Sequence, residues 1–319
     1  MALVTIGMPV RNERRFISQT IEDILNQTFD DFVLLISDNA SEDGTYEILQ
    51  GYAQKDRRIR IFRHSRNVGS IENFRFVRDL ADSPFFMWAA GHDRYDKTFL
   101  EKCVKKFQTA DPDTVLVFPK IQLIHEDDSL GRVYSYEKFD TQGIDEAVKR
   151  YFQVSFNARD LKIIYGLWRT EIIKKIRLKN IIMPDVFAIL QASILGKFAR
   201  VEEVLFFLRE PKKRISLIEG TKRVLMMEQG KDYKPSEFKN RTSFGDIALI
   251  ISEIVKFLGE NLKFILDVDK FGFRLNSKEK FLCILIAVLS FFVMRSISIS
   301  IYSFEKLSVK IREKIFGAV

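Results

Sequence analysis

FFMWAAGHDRYDKTFL, residues 85–100, decides how the rest of the chain is read. Phe85 to Ala90 is an uninterrupted apolar run with the length of a buried strand. It then breaks into Gly91, His92, Asp93, Arg94, Tyr95 and Asp96. A polar surface loop would account for that break. So would a metal and phosphate site at the mouth of an open α/β sheet, where ligands bind beyond the carboxyl ends of the strands.

Outward from this point, strands and helices alternate. LVTIGMPV (3–10), FVLLISDN (32–39), RIRIFRH (58–64), FFMWAA (85–90) and TVLVFPKIQLI (114–124) have the composition of strands. Between them, ERRFISQTIEDILNQ (13–27) places Phe16, Ile17, Ile21, Ile24 and Leu25 at helical spacing. Residues 44–54, 70–81 and 98–109 are the next helices. Short connections between near-continuous apolar strands predict a mostly parallel sheet with helices on both faces and right-handed crossovers.

The expected strand ends are PVRNE (9–13), SDNASEDGT (37–45), HSRNVGS (64–70) and GHDRYD (91–96). Asn, Asp, Ser and Gly are ordinary turn and cap residues, so one such loop says little. Four in succession along one edge point to a ligand. No G-x-G-x-x-G follows the first strand and no Walker lysine loop occurs, which argues against a nicotinamide dehydrogenase or a P-loop enzyme.

Composition agrees with a folded protein: 46% of the 319 residues are hydrophobic and 29% charged. The two cysteines, Cys103 and Cys283, have no redox or metal-ligand spacing, as expected of a reduced, cytoplasmic protein. Residues 1–10 read as a core strand followed by charge rather than as a secretory leader. Residues 1–210 carry 31 Lys+Arg against 31 Asp+Glu, so the net charge of +8 belongs to residues 211–319. That part also contains FLCILIAVLSFFVM (281–294), too short to span a bilayer. Residues 247–266 and 302–316 are amphipathic helix candidates beside it. A helical bundle packed on the main domain and a peripheral anchor on an anionic membrane, at the inner face of the cell membrane, both fit this pattern. No nucleic-acid-binding motif accompanies the charge, so nucleic acid is not expected as a partner.

With these residues in view, the chain resembles the family 2 glycosyltransferases, inverting enzymes of the GT-A fold that use nucleotide-sugar donors. The resemblance rests on VTIGMPVRNERRFISQTIEDILNQTF, LLISDNASEDGT, RNVGSIENF and WAAGHDRYDKTFLEKC, and continues in YGLWRTEIIKK (165–175) and LGKFARVEEVLFFLR (195–209). It implies a GT-A domain over residues 1–215, followed by a basic, apolar helical region over 216–319. Carried over position by position, it implies nucleotide contacts from Pro9, Asn12 and Glu13, and a hydrogen bond from the base, typically uracil, to Asp38. Asn39 and the 41–45 turn would shape the base pocket, with Asn67, Gly69 and Asn73 on the ribose and diphosphate side.

The family's metal motif, D-x-D or His-Asp-Asp, falls on the 85–100 stretch, and this chain departs from both. Without a gap, Gly91-His92-Asp93 lacks the first acid; with one insertion, His92-Asp93-Arg94 lacks the last. Asp93 is an aspartate in either register, and a hard ion bridging substrate phosphates needs only one or two protein carboxylates. The resemblance therefore implies Mg²⁺ or Mn²⁺ on Asp93, with His92 as a second ligand or a diphosphate contact and Arg94 as a phosphate partner. Asp96 reads as a cap of the helix from 98, with a ligand role as the alternative. The family's base, an Asp ahead of an apolar helix, corresponds to Asp185, and Trp168 and Arg169 are either acceptor-side or core residues. The expected activity is inverting transfer of a sugar, UDP-linked, to a hydroxyl of a cell-surface polysaccharide or lipid-linked glycan. A catalytically weak nucleotide-sugar-binding or scaffolding protein at the membrane is the alternative suggested by the eroded motif.

Overall fold

The computed structural model describes residues 2–158, 161–181, 183–210, Met226 and 244–295. Its centre is a nine-stranded sheet in the order β3-β2-β1-β4-β8-β6-β9-β5, with β7 paired on β6. Strands β1 (Val4–Val10), β2 (Phe32–Asp38), β3 (Ile59–Arg63) and β4 (Phe85–Trp88) run parallel, as the apolar runs predict. Beyond β4 the sheet is mixed. The short β8 (Leu167–Arg169) lies antiparallel between β4 and β6 (Thr114–Ile124). The long β9 (Lys197–Arg209) runs parallel to β6. β5 (Arg94–Tyr95) pairs with Phe206 and Phe207 of β9, and β7 (Leu130–Tyr134) closes a hairpin on β6.

Period-2 alternation divides these strands between two cores. Phe86, Trp88, Leu116, Phe118, Trp168 and Phe198 face one; Met87, Ala89, Val117, Leu167 and Ala199 face the other. The second core is covered by α1 (Ile17–Leu25) and α4 (Phe99–Thr109) through Ile17, Ile21, Phe99 and Cys103. α2 (Thr45–Ala53) adds Leu49 to it. α3 (Ser70–Asp79), α5 (Ala147–Asn157), α6 (Thr170–Ile173) and α7 (Pro184–Leu195) cover the first. α1 begins four residues later than its periodicity suggests. The Glu13 and Arg14 amides donate to Thr45 Oγ1 and Asp43 Oδ2, so the 11–16 segment is laced to the next loop before the helix starts.

The C-terminal helices α8 (Phe244–Asp267) and α9 (Ser277–Arg295) belong to the first core. Phe257, Phe264, Ile265, Val268, Leu275, Cys283 and Ile286 are buried with Tyr151 of α5 and Phe187 of α7. Of the bundle and interfacial alternatives for 281–294, the described part takes the bundle. Phe281 is nonetheless 66% exposed, and no described helix is long and apolar enough to cross a membrane. The expected boundary at 215/216 and the amphipathic segment 302–316 lie outside the described residues.

Candidate active site at the strand ends

The ends of β1 and β2 are knitted into one platform. Asn12 and Ala40 both hold left-handed backbone (φ 55° each), a conformation that polar contacts must support in residues other than glycine. The Asn12 amide donates to Ser41 Oγ (2.9 Å) and its Oδ1 accepts from the Glu42 amide (2.9 Å). Arg11 Nη1 donates to the carbonyls of Asn39 and Ala40 at 2.7 and 2.5 Å. Pro9 lies beside Ser37 in the β1–β2 register and is half-buried.

Asp38, fully buried at the end of β2, accepts from the Ser41 amide and meets Arg63 Nε at 3.3 Å. The Arg63 guanidinium also lies over the Tyr46 ring, 4.1 Å from its centroid. The three asparagines expected around the nucleotide brace the platform. Asn39 accepts from the Val68 amide and donates to Asn67 Oδ1, which also accepts from the Gly69 amide. Asn73 Nδ2 donates to the Ser37 carbonyl, while its buried Oδ1 has no partner among the described residues. Gly69, at φ 90°, makes the turn into α3 that brings Asn73 beneath the platform.

The 91–96 turn sorts its polar residues differently from the expectation drawn from the motif. Arg94, expected at the diphosphate, closes a two-point ion pair with Asp23 of α1 (2.5 and 2.9 Å), so its fork is engaged inside the fold. Asp96 Oδ1 accepts from both the amide and the hydroxyl of Thr98, ordering the turn that begins α4. His92 Nδ1 lies 2.9 Å from Glu13 Oε1 and its Nε2 lies 4.0 Å from Asp93 Oδ1. Glu13 thus sits on the histidine, and its amide holds Thr45.

Asp93 is 1% exposed. Its Oδ1 accepts from the Arg209 amide at 2.8 Å, and its Oδ2 is buried with no partner among the described residues. Burial raises the Asp93 pKa to about 6, against the opposing pull of His92 and the Arg209 amide. For His92 burial acts downward, but the Asp93 charge and the Glu13 hydrogen bond outweigh it and raise the pKa to about 9. Asp93 and Glu13 thus both favour the charged form of His92.

An unpartnered buried carboxylate oxygen suits a Mg²⁺ or Mn²⁺ ion that keeps its other positions for water and substrate oxygens. No group of three His, Cys, Asp or Glu side chains able to hold an ion by themselves occurs among the described residues. Asp93 would be the protein's anchor for such an ion.

Asp185 is the second residue of α7, after Met183 in left-handed backbone (φ 55°) and Pro184. Tyr165 lies within the electrostatic reach of both this segment and the 91–96 turn: its hydroxyl is pushed up first by burial and then by the negative charges of Asp93, Asp185 and Glu13. Lys162, at the head of the same 3₁₀ turn (Lys162–Tyr165), acts on Asp93 as a positive charge. Trp168 and Arg169 are core and edge residues instead. Trp168 is fully buried and donates to the Ile164 carbonyl, and Arg169 stands opposite Phe85 at the far end of β4.

Tyr165, Lys162, Arg63 and Arg209 were not singled out by the sequence. YGLWRTE contains Tyr165, but nothing local distinguishes it from the neighbouring tryptophan.

A family model, glycosyl transferase family 2, matches residues 5–197. The chain belongs to this family. An uncharacterized glycosyltransferase of Methanocaldococcus jannaschii is 28% identical over 152 residues, 47% of this chain and 51% of that protein. The putative teichuronic acid biosynthesis glycosyltransferase TuaG of Bacillus subtilis is 30% identical over 100 residues, 31% of this chain and 40% of TuaG. This family 2 chain thus spans about half or less of the length of these curated relatives. S. aureus TarS 1–349, solved with UDP-GlcNAc, superposes with a TM-score of 0.55 at 12% identity, covering 92% of this chain and 90% of that one. The mannosyltransferase PcManGT of Pyrobaculum calidifontis, solved with GDP-Man and Mn²⁺, gives 0.50 at 11% identity over 99% and 81%. These neighbours are GT-A glycosyltransferases, and the mixed α/β sheet described above is that fold.

Proposed function

We propose that this family 2 glycosyltransferase moves a sugar from a nucleotide-sugar, UDP-linked, to an acceptor hydroxyl with inversion, in the synthesis of a surface polysaccharide or lipid-linked glycan. The observation that carries the reading is the Asp93 Oδ2, buried at the strand ends without a partner among the described residues, with the Glu13–His92 pair beside it. Asp38 would accept an N–H of the base, in exchange for part of its contact with Arg63. The nucleotide's remaining surface would lie on Pro9, Asn12 and the loops braced by Asn39, Asn67, Gly69 and Asn73.

The reaction is a single displacement. The acceptor oxygen forms its bond to the anomeric carbon as the bond to the diphosphate oxygen breaks, and the diphosphate leaves with the electron pair. Asp185 takes the acceptor proton. The His92 imidazolium, held by Glu13, turns positive charge toward the departing diphosphate. Mg²⁺ or Mn²⁺ bound at Asp93 would supply further neutralisation of that charge. Val255, Leu262, Leu266 and Phe281, exposed on α8 and α9, support a peripheral position on an anionic membrane close to a lipid-linked acceptor.

The test is a thermal-shift panel of UDP- and GDP-sugars with and without Mn²⁺, followed by donor hydrolysis without acceptor. A ligand at 100 times its Kd adds about 2.7 kcal/mol of stability, so the cognate donor should stand out. No shift with any nucleotide-sugar would refute the reading. A shift without any turnover would favour the binding-protein alternative.

A further inference from the structure

Arg209 ends β9 and has a heavily engaged side chain next to the site. It is 5% exposed as a residue and 2% at its side chain. Its main-chain amide is the donor to Asp93 Oδ1. Its guanidinium then reaches two separate loops at three points. Nε donates to the His92 carbonyl (2.8 Å), Nη1 to the His125 carbonyl (2.8 Å) and Nη2 to Asp128 Oδ1 (2.6 Å). The flat face lies 4.3 Å from the centroid of the Phe16 ring, three residues after Glu13.

These contacts have a directional consequence. Residues 92 and 93 are gripped at consecutive points, the His92 carbonyl by the side chain and the Asp93 carboxylate by the amide. With Oδ1 tied to the Arg209 amide, Oδ2 is the oxygen left for a ligand. The Phe16 contact fixes the segment that presents Glu13 to His92, and the 125–128 turn anchors the far side of the fork. Three donors splayed in one plane, with an aromatic ring beneath, are specific to arginine; lysine can satisfy only part of the set.

We propose that Arg209 is the positioning residue of the donor site: its guanidinium, through the His92 carbonyl, the 125–128 turn and Phe16, holds the 92–93 segment and the His92–Glu13 pair so that the main-chain amide of residue 209 leaves Asp93 Oδ2 facing a metal–diphosphate ligand. The proposal rests on the nucleotide-sugar reading above and adds the element that keeps the eroded motif competent. Groups that orient a metal ligand typically contribute 10–100-fold to metal affinity when removed.

The experiment measures UDP and GDP affinity calorimetrically, with and without Mn²⁺, alongside the thermal midpoint. It uses wild type, Arg209→Lys and Asp128→Asn. Asp128 is half-exposed and in left-handed backbone (φ 60°), which asparagine tolerates, so the second variant weakens one arm of the clamp and preserves the turn. The expected result is a roughly 10–100-fold loss of the Mn²⁺-dependent gain in affinity for Arg209→Lys, with metal-free affinity kept within about twofold. Asp128→Asn should show a smaller loss in the same direction.

An unchanged Mn²⁺ increment in either folded variant would overturn the proposal. So would metal-free and metal-dependent affinity falling together with the thermal midpoint, the signature of a purely structural role. Nucleotide binding by the wild type that ignores Mn²⁺ would overturn it as well. A wild type that binds neither nucleotide refutes the glycosyl-transfer reading itself, which separates the two failures.

Discussion

Replacing Asp93 by asparagine should stabilise the protein at neutral pH while disabling its site. Burial holds the folded-state pKa near 6 against an ordinary value of 3.8. Below pH 3.8 the carboxyl is protonated whether folded or not; as pH rises through 6, the folded state must carry a buried anion that the unfolded chain carries in water. At 1.36 kcal/mol per pH unit, that costs about 3 kcal/mol by pH 7.5. Asparagine removes the charge and still accepts from the Arg209 amide through Oδ1. Its amide nitrogen inherits the unpartnered position of Oδ2, which takes back roughly 1–2 kcal/mol.

The net gain is about 1–2 kcal/mol at pH 7.5. Unfolding entropy near 2.1 cal/mol/K per residue makes this about 2–3 °C of thermal midpoint for a 319-residue chain. At pH 4.5 the penalty on wild type falls to about 1 kcal/mol, so the advantage should vanish. Scanning both proteins by fluorimetry from pH 4.5 to 7.5 reads the difference directly. A less stable variant at pH 7.5, or a difference that does not change with pH, would refute the reasoning. The same variant should lose the Mn²⁺-dependent part of UDP or GDP binding.

Gly91→Asp, which restores D-x-D on paper, should destabilise instead. Gly91 is not in left-handed backbone, but a Cβ there would sit 3.0 Å from Ile17 Cδ1 and Val10 Cγ1 and 3.1 Å from Glu13 Cγ. The crowding alone costs about 1–3 kcal/mol, so even Gly91→Ala should lower the thermal midpoint by a few degrees, and a wild-type midpoint would contradict the packing. Asp185→Asn should cut transfer by roughly 10²–10⁴-fold with donor affinity nearly unchanged; loss of donor binding first would place the base elsewhere. Phe257→Ala, which empties a site against Phe187 (ring centroids 6.2 Å apart), should cost about 3–5 kcal/mol in chemical denaturation. A shift below 1 kcal/mol would mean that α8 is only loosely attached.

The alternation of apolar runs and amphipathic segments was enough to place β1 to β4, α1 to α4 and β6 within a few residues. Burial on two faces leaves a periodic trace in any strand or helix that experiences it. The same local logic put the polar groups at the strand ends and drew attention to Asp93. It could not supply β5, two residues long and stable only against Phe206 and Phe207 of β9. Nor could it decide whether the apolar 281–294 run faces lipid or protein, because hydrophobic spacing records that a face is covered and not what covers it.

What tertiary structure alone decided is which of the clustered polar groups remain open. Arg94 and Asp93 are adjacent in the sequence and look equally available. Asp23, seventy-one positions earlier, closes one, while Arg209, one hundred and sixteen positions later, binds a single oxygen of the other and leaves its neighbour without a partner among the described residues. Asn39, Asn67 and Asn73 likewise become braces only when their loops meet. A side chain's type is local information. Its vacancy depends on desolvation and on partners delivered by distant segments, and those exist only once the sheet has brought its strand ends together.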